Sequence, residues 1–487
     1  MRTIFAIKKK IDRDPFFIFG ILVLFIFDLG LFLKFLNWNF DDSYIVYRIV
    51  QNLLSGHGWV YNIGETYNAS TSSLNTILIT LVAKLTKDIP LSAHLLGACC
   101  IYIAGVCSFN ILRSEFGNFV SIIGSVFLMH GLGFNWTWGL ETNLFIALVL
   151  LFICLERQSR SQGWFILGLL TLARPDGIIF AGLKTCWFYL SVKRLPWRGW
   201  LIFTLVLIPW LIYSITNFGQ ISPDTLSQKV WQGESGYWGS GLVYLQGLGN
   251  KYFYQAGIWD LFRLGISLIG GYAILKTKNP LWYLLAFSAT QQLAYVYLNV
   301  PAYHWYFAIL DFTISFSFVY AISWIIKSSG VYPWFKFGGV ARSIPFFALV
   351  FAIVIYTYRL QIERPTDKRD QAYKEISATI SEKYGRKTTA LVEVGTIGFY
   401  TENFIVDIVG LTSQLEQFVT LDRMDEFFLV SPDLILLHEP VGALEQSIYR
   451  DPRFRERYVR SEQFGVPGNY PMSLYSLRKP QSKPNLN

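Results

Sequence analysis

The chain has 487 residues, of which 53% are hydrophobic, 17% aromatic and only 15% charged. Its apolar residues gather in blocks near the ~20 residues of helix that cross a bilayer, which excludes a soluble globular protein. The net charge of +9 does not indicate a nucleic-acid binder, because Lys and Arg collect in short gaps between apolar blocks, where they report orientation in a membrane.

From the N-terminus, Arg2, Lys8, Lys9, Lys10 and Arg13 precede an apolar run from Pro15 to Leu36. That run is too long for the apolar core of a signal peptide and lacks a small-residue cleavage site, so it reads as an uncleaved first span with a cytoplasmic N-terminus. Ser73 to Leu85 is too short to span. Leu74, Ile77, Leu78, Leu81, Val82 and Leu85 fall on one helical stripe and Ser73, Thr76, Thr80, Lys84 and Lys87 on the opposite one, the pattern of an interfacial helix. Further spans are expected at 91–112, 118–134, 141–156, 163–173, 176–192, 199–216, 256–275, 280–298, 304–326 and 342–359. With the first span these make about eleven crossings.

Keeping 73–85 outside places Arg113, Arg157 with Arg160, Lys193 with Arg194 and Arg198, Lys276 with Lys278, and Lys327 with Lys336 all on the N-terminal side. Pro175 supports the break within 163–192 that this count requires. Cys99, Cys100, Cys107, Cys154 and Cys186 lie inside apolar stretches and read as packing residues, not a disulfide framework or a metal site. Beyond residue 360, charges become frequent, and Thr389 to Val394, Phe404 to Val409 and Leu434 to Leu437 read as strands separated by helices. The expected organisation is a polytopic α-helical membrane domain, 1–359, followed by a soluble α/β domain, 360–487, outside the cytoplasm.

Polar groups cluster on the exterior face of this layout. Asp41 and Asp42 follow the first span directly; in a helix running to Ser55, Asp41, Arg48 and Asn52 would share one sector. N-capping by either acid, with Arg48 reaching lipid phosphate, is an equal reading of the same residues. Glu141, and Arg174 with Asp176 on either side of Pro175, are ionisable groups at membrane depth, where residues mark a site or pair with each other. Asp224 and Lys229 stand in an exterior loop, and His304 opens a later span beside Trp305 and Tyr306, an aromatic pair suited to the membrane interface. A carboxylate base with cations at a membrane-embedded mouth suits sugar transfer from a lipid phosphate: the base deprotonates an acceptor hydroxyl, and Arg48, Lys84 and Lys229 stabilise the departing phosphate. A transporter or flippase of a lipid-linked sugar is the alternative, although no paired halves are visible. No cofactor is firmly implied; two adjacent carboxylates can bind a divalent cation, but no complete ligand set is apparent.

The stretches DDSYIVYRIVQNLLSGHGWVYNIGE (41–65), GLET (139–142), ARPDG (173–177), FGQISPDTLSQK (218–229) and EVGTIGFYTENFIVDIVGLT (393–412) resemble the polyprenyl-phosphate-dependent membrane glycosyltransferases of the C-type (GT-C) fold. That clan includes protein O-mannosyltransferases and aminoarabinose transferases, and the nearest likeness is to the mycobacterial terminal arabinofuranosyltransferases. The resemblance implies a catalytic Asp just after the first span, Asp41 or else Asp42. It also implies a polyprenyl-phosphate sugar donor, a glycan, lipid or protein acceptor, and a place in the bacterial inner membrane. Relatives often carry Glu where Asp176 stands and Asn where Asp224 stands, two departures that bear on substrate choice.

Overall fold

The computed structural model describes residues 15–133, 137–158, 162–328, 368–413, 424–466 and 471–478. They form two compact units, one from residues 15–37, 72–213 and 242–328, the other from 38–71, 214–241 and 368–478. The division expected near residue 360 thus leaves out two segments, 38–71 and 214–241, that the sheet-bearing unit draws from the region of the expected membrane domain.

The first unit is all helical. Pro15–Phe35, Ile89–Phe116, Trp197–Phe218, Ile258–Lys276 and His304–Ser328 are long and apolar enough to cross a membrane. Asn118–Gly133, Thr142–Glu156, Gly163–Ala173, Ile178–Val192 and Trp282–Leu298 are shorter, at 11–17 residues. The span expected at 342–359 and the cations at Arg160 and Lys336 lie outside the described residues, as does the basic N-terminal segment. Pro15–Phe35 turns Leu22, Phe25, Ile26, Leu29 and Leu33 outward, an apolar surface that suits lipid and not water. Small residues let helices approach: a Cβ on Gly270 would lie 1.8 Å from the Ser317 carbonyl oxygen, so Ile258–Lys276 and His304–Ser328 touch backbone to backbone.

The expected break at Pro175 is present. Gly163–Ala173 ends, a 3-10 turn spans Pro175–Gly177, and a new helix begins at Ile178. Gly177 permits the reversal, since a Cβ there would meet the Leu170 carbonyl oxygen at 2.5 Å. The interfacial helix runs Ser73–Thr86 and is capped by Ser72. Of its polar stripe, Ser73 and Thr76 are buried while Lys84 and Lys87 are exposed, and on its apolar stripe Ile77, Leu81 and Leu85 are exposed, a surface that suits lipid.

The second unit is built on a five-stranded sheet of order β2-β1-β3-β5-β4, with β1 Thr388–Leu391, β2 Phe404–Asp407, β3 Leu434–His438, β4 Tyr458–Phe464 and β5 Met472–Leu477. β2, β1 and β3 are parallel, and β5 and β4 continue antiparallel. Alternating strand residues Ala390, Val406, Ile435 and Leu437 pack with Phe427, Phe428, Ile448 and Phe454 in one core. The free edge of β2 is covered by a side chain: Asn62 donates to the Ile405 carbonyl (2.9 Å) and accepts from the Ile405 amide (3.0 Å), replacing a neighbouring strand.

Candidate active site

A parallel sheet presents its ligands at the carboxyl ends of its strands, at the point where successive crossovers leave in opposite directions. Here β1 is flanked by β2 and β3, and the three carboxyl ends bring Asp407, Glu393 and His438 to one edge. From β1 the chain turns through Val392 and Glu393 into the helix Val394–Thr401, whose first-turn amides point at that edge. In nucleotide-binding sheets this turn receives a phosphate. In this chain it receives the Asp41 carboxylate, which accepts from the Gly395 amide (3.2 Å), the Thr396 amide (2.8 Å) and the Thr396 hydroxyl (2.7 Å). The approach requires Gly395, where a Cβ would sit 2.0 Å from the Asp41 carbonyl oxygen.

Asp41 and Asp42 lie in a turn ahead of the helix Ser43–Leu54. Asp42 holds the N-cap position but makes no side-chain capping bond, so neither acid caps the helix it precedes. Burial and the neighbouring Glu393 carboxylate raise Asp41, the Thr396 hydrogen bonds oppose them, and the acid is left at about 7. A small cavity of about 80 Å3 opens beside it, lined by Asp41, Asp42, Arg369, Asp370, Tyr373 and Glu393. Asp370 is itself tied to Lys374 (2.8 Å) and to the Tyr44 hydroxyl (3.1 Å). Lys229 faces this acidic edge: burial lowers its ammonium below the usual lysine range, while Asp42 and Asp407 act to raise it. Asp224 accepts from the Asn68 amide (2.8 Å) and from Gln220, which fastens the 38–71 and 214–241 segments together. Among the described residues no group of three or more His, Cys, Asp or Glu is placed to hold a metal ion.

Arg48 does not have the role expected of it. Its guanidinium is buried and donates to the carbonyls of Tyr61 (2.8 Å), Gly398 (2.5 Å) and Asn403 (2.5 Å) and to Asn62 Oδ1 (3.3 Å), over the face of Tyr61. With its fork filled by oxygens of the protein, it is a brace and offers nothing to a phosphate. It also shares no helical sector with Asp41, because the helix starts at Ser43.

In the helical unit, Arg174 lies between Asp176 (3.0 Å) and Glu141 (3.4 Å), and Asp176 also accepts from Gln291 (2.6 Å) and Tyr295 (2.8 Å). These ionisable groups pair with each other, as buried charges must. His304 is the first residue of its helix and packs edge-on against Trp305. Lys84 is exposed in the last turn of Ser73–Thr86. Sequence reasoning missed Glu393, Thr396, Asp370, His438 and Glu445. The signal for one of them was available: His438, like Asp407, is a lone titratable residue closing an apolar strand.

No family model matches the sequence. The chain is similar to the terminal β-(1→2)-arabinofuranosyltransferases of Corynebacterium glutamicum (27% identical over 285 residues) and Mycobacterium tuberculosis (22% over 278 residues). Those matches cover 50% and 48% of this chain and 40% of each relative, so the chain matches less than half the length of either. The fold superposes on ArnT from Cupriavidus metallidurans bound to undecaprenyl phosphate with a TM-score of 0.58 at 13% identity, covering 94% of this chain and 97% of that one. The chain is thus a multi-pass membrane protein of the C-type glycosyltransferase fold, with terminal arabinofuranosyltransferases as its relatives.

Proposed function

We propose that the protein transfers a sugar from a polyprenyl-phosphate donor to an envelope glycan, lipid or protein acceptor at the outer face of the bacterial inner membrane, with Asp41 as the general base. The relatives' named activity and the undecaprenyl phosphate bound by ArnT support the reaction class. The observation that carries the residue assignment is the Asp41 carboxylate: three donors fix it, one lone-pair direction is left over, and its acid strength near pH 7 suits a base. Asp41 takes the proton of an acceptor hydroxyl as that oxygen bonds to the anomeric carbon. The carbon–oxygen bond to phosphate breaks with its electron pair, polyprenyl phosphate departs, and the anomeric centre inverts. Lys229 is the cation proposed for the donor phosphate; with its charge beside Asp42, it also weighs against the build-up of negative charge there.

The test uses the full chain in lipid nanodiscs with undecaprenyl-phosphate-linked arabinofuranose and a synthetic arabinofuranoside acceptor. Asp41→Asn lowers kcat by about 10² to 10⁴-fold with the fold intact, and Asp42→Asn by much less. An Asp41→Asn protein that keeps most of its turnover overturns the assignment. Movement of the donor across vesicles with no glycoside product would support the transporter reading instead.

A further inference from the structure

The Asp41 site brings a second carboxylate, Glu393, close to the Asp41 carboxylate. Glu393 sits at the end of β1, directly before the helix that holds Asp41, and lines the same cavity. A carboxylate there repels an ionised Asp41 and favours the protonated acid, which is useless as a base. Two strands' ends supply the answer. At the end of β3, His438 points Nε2 at Glu393 (3.6 Å) and Nδ1 at Glu445 (2.8 Å). Glu445 is buried and held rigidly, accepting also from the backbone amides of His438 (3.1 Å) and Gly442 (2.9 Å). Carboxylate, imidazole, carboxylate and base therefore run in sequence from Glu445 through His438 and Glu393 to Asp41.

We propose that His438, fixed by Glu445, is a positioning residue for sugar transfer: its positive charge holds Glu393 in place and offsets the repulsion that Glu393 exerts on Asp41. This rests on Asp41 being the base. Burial acts to lower the imidazole, but the two carboxylates outweigh it and push His438 up to about 10, so the ring is cationic where the enzyme works. The other charges facing Asp41 are Asp42 from its own turn, itself opposed by Lys229, and Asp370 with Arg369 from the helix Arg369–Tyr384, where Lys374 pairs with Asp370. Of the groups at the strand ends, His438 is the one at 3.6 Å from the Glu393 carboxylate and anchored by a second carboxylate, Glu445.

The expected signature is a pair of opposite shifts. In His438→Gln the unscreened Glu393 makes Asp41 a weaker acid that titrates at higher pH, so the acidic limb of kcat/KM against pH moves up by about one unit and the high-pH plateau is unchanged. In Glu393→Gln the limb moves down by about one unit. On the Glu393→Gln background, His438→Gln adds little, because the charge it screened is gone. These profiles are measured on the full chain with the donor and acceptor named above. ¹³C-histidine NMR of the same protein, which has five histidines, follows the His438 titration directly, and Glu393→Gln lowers it. A His438→Gln enzyme whose kcat falls with its limb unmoved, or variants whose shifts simply add, overturns the positioning role. If Asp41→Asn stays active while the NMR shift on Glu393→Gln is present, the base assignment has failed and the histidine clamp stands as structure only. Absence of that NMR shift means the clamp itself is wrong.

Discussion

Arg48→Ala separates a structural brace from a phosphate clamp. The guanidinium is 6% exposed and fills three backbone carbonyls, one side-chain amide oxygen and the face of Tyr61. Each buried acceptor stripped of its donor costs about 1–3 kcal/mol, and removing one partner of such an arrangement typically costs about 3–5 kcal/mol in all. Asn52 still donates to the Tyr61 carbonyl (3.0 Å), so the loss falls on Gly398 and Asn403, at either end of the Thr401 turn between Val394–Thr401 and β2. Hydrogen exchange followed by mass spectrometry on the full chain reads this locally. A cost of about 3 kcal/mol raises exchange of peptides covering 394–407 by at least about 10²-fold, while helices of the other unit keep their protection. Arg48→Lys keeps the charge but not the fork and falls between. Unchanged protection of 394–407 with a raised KM for the polyprenyl-phosphate donor would refute the brace and restore the clamp.

Gly395→Ala drives a methyl group into the Asp41 backbone, and we expect a kcat loss comparable with that of Asp41→Asn, checked by single-turnover transfer; normal turnover would dismiss the Asp41–helix contact. Lys229→Met removes a cation facing Asp42 and Asp407, so kcat/KM for the donor drops about 10-fold or more and steady-state kinetics show it. The sheet unit also loses stability as pH rises. His438 titrates higher folded than unfolded, so its contribution is complete below about 6.5 and is lost towards about 10; denaturant midpoints across that window decline in the wild type and are flat in His438→Gln.

Local signals in the sequence were enough for most elements. The stripe at 73–85, the break at Pro175 and the strand at Leu434–Leu437 match helices and strands to within a few residues, because periodicity and Pro or Gly chemistry act over one or two turns. The exterior loop 217–251 was read without its helices Asp224–Glu234 and Val243–Gly249, whose mixed polarity leaves no clean period. The acidic pair was recognised, yet its partners were not: Asp41 meets Thr396 across 355 residues and Arg48 meets Asn403 across 355. No spacing rule reaches that far. Thr389 to Val394 was expected as one strand, but β1 stops at Leu391 and Val394 opens the helix that receives Asp41, so the strand's last residues were misassigned where the site begins.

The Asn62 seal on β2 has a consequence for assembly during synthesis. Asn62 is made 343 residues before Ile405, and the edge it covers does not exist until the last quarter of the chain has emerged. Contacts of such long sequence separation close late, because their loop entropy is spent before any bond repays it. Until then the 38–71 segment stays open, with Asp41 lacking the amides that hold it. A nascent or truncated chain that stops short of Gly395 and Thr396 therefore carries the acid without its anchorage.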